Sequence, residues 1–394
     1  NGDPVIGSAG NQMTITQTTR GAIINWGTFN IANGFGVAFN QPGNGVTLNR
    51  VLGTMPTAIN GILTANGNVF IINTNGITFG ANAQVNVGGL VASTLALSDG
   101  DFLTGLSTGR YLFAGNTGTP VLSNAADITA GAGGVGFVGT NLRNSGAIVA
   151  NGGNIGFGAG TSVTLDFVGD GLTQVTINAA PAVDTQLFQD RFGSMTADGG
   201  RILLRNAATA AGTGGVIYAD GLLRAQSIAN VNGRIELTSI GGPVFLGAPG
   251  VLSDASTPFT AGRIDVSGDV GETGGSVLIQ GNGVAFLNND PTPLAPADPL
   301  SVGSFINASG GEGGGSVTIQ STADVTMLGL SGISADTQRG VAGQVLVQAV
   351  GSIGMAAATV ISADAMDAGD GGQVGLAAGG NVVVAGLLSA KGAK

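Results

Sequence analysis

Carboxylates are the most numerous side chains here that could do acid–base or metal chemistry. The 394 residues contain 23 Asp and Glu, no His and no Cys. The densest group near the C-terminal end is Asp364, Asp367 and Asp370. Its oxygens have the character of Ca²⁺ ligands. The tandem Gly-Gly-x-Gly-x-Asp that builds calcium sites in solenoids is absent, so the three read as turn residues, and no metal or cofactor is expected. Without His there is no His-based triad or dyad. The 13 Lys and Arg are scattered singly, and Asp190–Arg191 and Arg263–Asp265 are isolated pairs. The two-carboxylate constellation that cleaves glycosides is therefore not assembled, and an enzyme is not expected. Gly310 to Gly315 is no phosphate loop, because neither Lys-Ser/Thr nor a helix follows.

The sharpest local signal is conformational. Asn73-Thr74-Asn75-Gly76 stands between two apolar strand patterns, Ile62 to Ile72 and Gly76 to Gly80. Gly accepts positive φ and Asn tolerates the left-handed region, so this reads as a structural β-turn.

Strands must position that turn. Helix signals are nearly absent, whereas runs of three to six apolar or β-branched residues end repeatedly in Gly, Asn or Asp. Gly274-Gly275-Ser276-Val277-Leu278-Ile279-Gln280 recurs as Gly314-Gly315-Ser316-Val317-Thr318-Ile319-Gln320. Looser copies begin at Gly152, Gly199, Ala342 and Gly371. Between copies lie a second strand, such as Val325-Thr326-Met327-Leu328, and a third, such as Ile333-Ser334-Ala335-Asp336. One strand–turn unit repeated along a chain is a solenoid, and a parallel β-helix suits it best. Each coil buries one face inside and pairs its edges with the coils above and below. Asn at equivalent turns can stack in amide ladders.

Composition narrows the function. Gly is 73 of 394 residues, 43% are hydrophobic and 9% charged, so the chain has apolar material for a large core and lacks the signature of disorder. The net charge is −10 and no basic patch exists, which excludes nucleic acid as a partner. No run of 18 apolar residues offers a membrane-spanning helix. The chain begins at Asn1, as expected of a processed N-terminus.

Trp26, the only Trp, is expected to pack in the core or cap rather than to stack on sugars. Arg20 and Arg50, the only cations of the first hundred residues, are expected as snorkelling stems or as donors to carbonyls at the cap.

The first hundred residues resemble the haemagglutination-activity, or two-partner-secretion, domain of bacterial exoproteins of the filamentous haemagglutinin type. The resemblance is carried by Arg20 to Ile31, Val46 to Val51, Ile59 to Gly67, the Asn73 segment and Ala83 to Leu95. The glycine-rich repeats resemble the downstream shaft of that family. The resemblance implies an all-β chain: a right-handed parallel β-helix with an N-terminal cap and extra-helical strands. It implies export through the periplasm of a Gram-negative bacterium, recognition by an outer-membrane partner transporter with periplasmic binding repeats, and a secreted or cell-surface product. The family's secretion motif Asn-Pro-Asn-Gly-Ile falls on Asn73, Thr74, Asn75, Gly76 and Ile77, with Thr in place of Pro. A weaker second motif, Asn-Thr-Asn-Gly, falls on Asn86, Val87, Gly88 and Gly89.

The expected organisation is a secretion domain over residues 1–125, comprising cap and first coils, and a continuing shaft over 126–394. Excursions from the shaft are expected near 184–195, as a short helix or a strand pair, and near 290–300, where four Pro crowd together. The leading function is that of an adhesin-type exoprotein with a host receptor or glycan as further partner. The alternatives are the secretion module and shaft of a longer toxin or haem-scavenging exoprotein, and a polysaccharide-degrading β-helix.

Overall fold

The computed structural model describes residues 3–115, 118–167, 172, 174–178, 183–209, 215–228, 231–247, 262–287 and 303–393. It forms two compact units. One comprises Asn1–Leu187 with Leu203–Gly214, the other Phe188–Ile202 with Gly215–Lys394. Both are stacks of parallel coils, as the repeats require.

In the first unit, Val5–Ala9 folds back antiparallel on Gln12–Thr16 and makes the cap. Three tracks of strands then climb in parallel. One runs from Gln12–Thr16 through Gly36–Asn40 and Ile62–Ala65 to Gln84–Ser93. The next runs from Gly21–Trp26 through Val46–Val51 and Asn68–Ile72 onto that same long strand, whose halves serve two tracks, and on to Asp127–Gly139 and Ile155–Ala159. The third holds Thr57–Ile59, Ile77–Phe79, Val121–Asn124 and Asn141–Asn144. Alternate side chains point inward. Inside, the Phe137 ring stacks on Phe79 at 5.8 Å and on Phe157 at 4.7 Å. Asn124 donates its amide to Asn144 Oδ1 at 2.8 Å, a buried rung of the amide ladder expected at equivalent turns.

Extra-helical elements cover one face of this unit. Arg110–Ala114, Ser162–Asp166 and Gln174–Ile177 form an antiparallel sheet. A helix, Asp99–Thr108, precedes it, N-capped by Ser98 and closed by Gly109 at φ 75°. Phe102, Tyr111, Phe113, Val163, Leu165 and Val175 pack there against Phe70 and Ile72 of the coil. Such a layer needs a flat base. A Cβ on Gly156 would lie 2.5 Å from Leu172 Cδ2 and 2.7 Å from Val175 Cγ2, so the coil strand presents no side chain where the added sheet sits.

The second unit repeats the three tracks. Ser276–Gly281 pairs with Ser316–Ser321 so that Ser276 faces Ser316 and Gln280 faces Gln320. The sequence repeat is thus the coil register. Gln344–Ala349 and Gln373–Ala378 continue that track. The excursion expected near 184–195 is corrected in part. Ser194–Thr196 stacks in parallel on Leu222–Arg224 as an ordinary rung, and Phe188 packs on Tyr218 at 5.4 Å. Phe192 faces solvent under the Arg191 guanidinium. The Pro-rich stretch expected as an excursion near 290–300 lies outside the described residues.

Candidate functional site

The Asn73 turn is a corner of the first unit, where the chain leaves Asn68–Ile72 and enters Ile77–Phe79. Asn73 is 1% exposed. Its carbonyl accepts from Gly76 N–H at 3.2 Å, closing the turn. Its side-chain oxygen accepts from Asn75 N–H at 2.9 Å and from the Asn75 amide at 3.1 Å. This is the Asx arrangement that Asn favours at turns. Its side-chain nitrogen donates to Met55 O at 2.9 Å and to Thr57 Oγ1 at 3.0 Å.

Asn75 is exposed yet donates to Gly53 O at 2.9 Å. Gly76 has φ 128°, where a side chain would be strained, and its carbonyl accepts from Thr57 N–H at 3.0 Å. Ile77 is buried as the first interior residue of the next strand. The four motif residues therefore act together. Two Asn side chains lash the turn to the preceding corner, Gly53 to Thr57, and Gly76 and Ile77 steer the chain inward. That partner loop escaped the sequence reading, although Gly53-Thr54-Met55-Pro56 is itself a turn signal.

The weaker second motif is not a turn. Asn86 and Gly89 lie within the strand Gln84–Ser93, with a register shift between Val87 and Gly89. Asn86 faces solvent between Thr64 and Thr129, and Gly89 faces Asn68.

A second polar assembly lies beneath the cap. Thr47 is buried, donates to Gln17 Oε1 at 2.5 Å and accepts from Gln41 Nε2 at 2.9 Å. Gln41 also donates to Asn68 O at 2.9 Å. Trp26 is part of the same region: its indole N–H donates to Asn49 Oδ1 at 3.0 Å and its ring meets Phe29 at 5.3 Å. Arg50 donates to Leu97 O at 2.8 Å and pairs with Asp99 at 2.6 Å, which ties the helix start to the coil. Burial pushes the Tyr111 phenol up to about 12, against a smaller downward pull from Arg20.

Asp198, Asp336 and Asp364 of the second unit are held in rungs. Asp198 takes two bonds from the Arg224 guanidinium, at 3.1 and 2.6 Å. Asp336 accepts from Ser334 at 2.6 Å and Ser362 at 2.8 Å, and Asp364 from Ser389 at 2.7 Å. Asp367 and Asp370 are exposed. Among the described residues, no group of three or more Asp or Glu converges on a metal-sized space.

Comparison with known proteins gives this geometry a setting. The family described as "TPS secretion domain" matches residues 1–243. The heme/hemopexin-binding protein of Haemophilus influenzae strain Rd is 43% identical over 94 residues, which is 24% of this chain and 10% of that protein. A second Haemophilus influenzae heme/hemopexin-binding protein is 42% identical over 85 residues, covering 21% and 9%. The chain thus spans about a tenth of the length of these curated relatives. The crystal structure of the HMW1 secretion domain from Haemophilus influenzae has the same fold, with a TM-score of 0.68 at 22% identity over 98% of this chain and 97% of that one. The chain belongs to the TPS secretion domain family, the secretion domain of exoproteins that Gram-negative bacteria export through the periplasm by two-partner secretion, with an outer-membrane partner transporter.

Proposed function

We propose that the Asn73–Ile77 turn is the secretion element of this chain and that it works within residues 1–125, the cap and first coils, ahead of a shaft formed by 126–394. The observation that carries the reading is the double use of Asn73, which closes its own turn and holds the preceding corner. In the unfolded chain these amides are free for the transporter's periplasmic repeats. Once outside, they close the corner on which later coils stack. Each added coil then buries apolar surface and pairs backbone edges, and that free energy opposes return through the transporter. Asn86 and Gly89 have a lesser part, as strand residues that accept the next coil.

The chain acts by display rather than catalysis: Asp336 and Asp364 are engaged in rungs, and among the described residues no three carboxylates gather. The whole exoprotein is read as an adhesin presented on the cell surface or released, with a host receptor or glycan as target. A haem-acquisition protein is the second reading, favoured by the names of the two Haemophilus relatives. The export reading is tested by expressing the chain with and without its partner transporter. Protein in the medium only when the transporter is present is expected, and equal release without it would refute the reading. Titrating the secreted full exoprotein with haemin separates the two activities.

A further inference from the structure

Beside the extra-helical layer, the first unit holds an open groove of about 600 Å³, within the roughly 300–1,000 Å³ usual for small-ligand sites. Its wall is aromatic: Phe70 and Tyr111 have ring centroids 4.8 Å apart, and Tyr111 and Phe167 are 5.8 Å apart. Its floor is backbone, because Gly67, Gly88 and Gly133 fall one above another on neighbouring coils. Coil packing alone accounts for that floor, since a Cβ on Gly133 would lie 2.2 Å from Asn68 Oδ1.

The polar groups that line the groove are open to solvent: Arg20 and Asn44 are exposed and Asn68 is half-buried. Among the described residues, the side chains of Arg20, Asn44, Asn68 and Tyr111 have no hydrogen-bond partner in the protein. Arg50, the other cation of the first hundred residues, is fully engaged by Leu97 O, Asp99 and Asn25. Of the two roles expected of it, Arg20 does not take that of donor to cap carbonyls. In a chain of net charge −10, a guanidinium with no carboxylate partner beside a groove is a ready anion site. Arg binds carboxylates with a planar pair of donors. Aromatic rings offer apolar faces, and amides and a phenol supply donors and acceptors for hydroxyls.

We propose that this groove binds an acidic saccharide, with Arg20 pairing to its carboxylate, Asn44, Asn68 and the Tyr111 hydroxyl taking its hydroxyls, and the half-buried Phe167 lining its C–H face. The inference does not depend on the export reading.

The experiment is a titration of the folded chain with glucuronate, glucose and benzoate, followed by ligand-observed NMR. Glucuronate should bind at millimolar concentration and about tenfold more tightly than glucose, the scale of one charge-assisted contact. Arg20→Gln should bring glucuronate down to the level of glucose. Asn44→Gly, which suits the φ of 58° at that position, and Tyr111→Phe should each weaken both sugars. These variants remove no protein hydrogen bond, so their far-ultraviolet spectra and Trp26 emission should match the parent. The proposal is overturned if glucuronate does not bind, if it binds no better than glucose, or if Arg20→Gln leaves its affinity unchanged. Benzoate binding as tightly as glucuronate would mean a general carboxylate site and would overturn the saccharide assignment.

Discussion

Asn73 donates its side-chain amide to the Thr57 hydroxyl at 3.0 Å, across 16 residues of sequence and away from solvent. Two successive corners of the coil are thereby joined by a side chain rather than by the sheet. The two asparagines of the motif should then differ in energy. Asn73→Ala removes the bonds to Thr57 and Met55 and the Asx closure, and it strands buried acceptors. A loss of about 2–3 kcal/mol is expected. Asn75→Ala removes two bonds of an exposed side chain, to Gly53 O and Asn73 Oδ1, and leaves Asn73 Oδ1 its bond from the Asn75 N–H, so it should cost about 1 kcal/mol. Urea titration followed by Trp26 emission reads both, because the single Trp lies in the first unit. Equal costs would refute the difference.

Thr47 should behave as a buried polar node. Val has nearly its shape but neither donates to Gln17 nor accepts from Gln41. Thr47→Val should destabilise the first unit by about 2 kcal/mol, since it removes two buried hydrogen bonds and takes the Thr47 donor away from Gln17 Oε1. The same urea titration decides; a neutral effect would mean the amides find other partners.

Tyr111 gives a pH test with a definite sign. Burial pushes its phenol up to about 12 in the folded state, from an ordinary value of 10.0. The folded state favours the neutral form, so this contribution is complete below pH 10 and is lost as pH rises through 12. A two-unit shift corresponds to roughly 3 kcal/mol. Tyr111→Phe should flatten the stability of the first unit between pH 10 and 12, relative to the parent. Parallel pH curves for the two proteins would contradict the assignment.

Much of this architecture was legible because a β-helix writes its register into the sequence. The paired segments Ser276 to Gln280 and Ser316 to Gln320 face each other residue for residue, and the Asn73 turn sits at a corner as its residue types require. The helix Asp99–Thr108 was not legible. Gly100 and Gly105 interrupt it and depress helix propensity, although Ser98 and Asp101 mark its start. Gly105 is there for a tertiary reason, since a Cβ would lie 2.2 Å from the Tyr111 ring. The second motif makes no such turn: Val87 and Gly88 lack the side-chain amides that hold one, and the segment pairs as strand with Ile62–Ala65 and Asp127–Gly139. The Gln17–Thr47–Gln41 node joins residues 30 and 6 positions apart, and no local pattern announces such a meeting.

The central claim is that the Asn73 corner governs export. The most direct measurement is the fraction of Asn73→Ala chain in the medium, against parent and Asn75→Ala, in cells that also make the partner transporter. The account predicts that Asn73→Ala stays in the periplasm while Asn75→Ala is released in reduced amount. Release of Asn73→Ala at the parental level would contradict it.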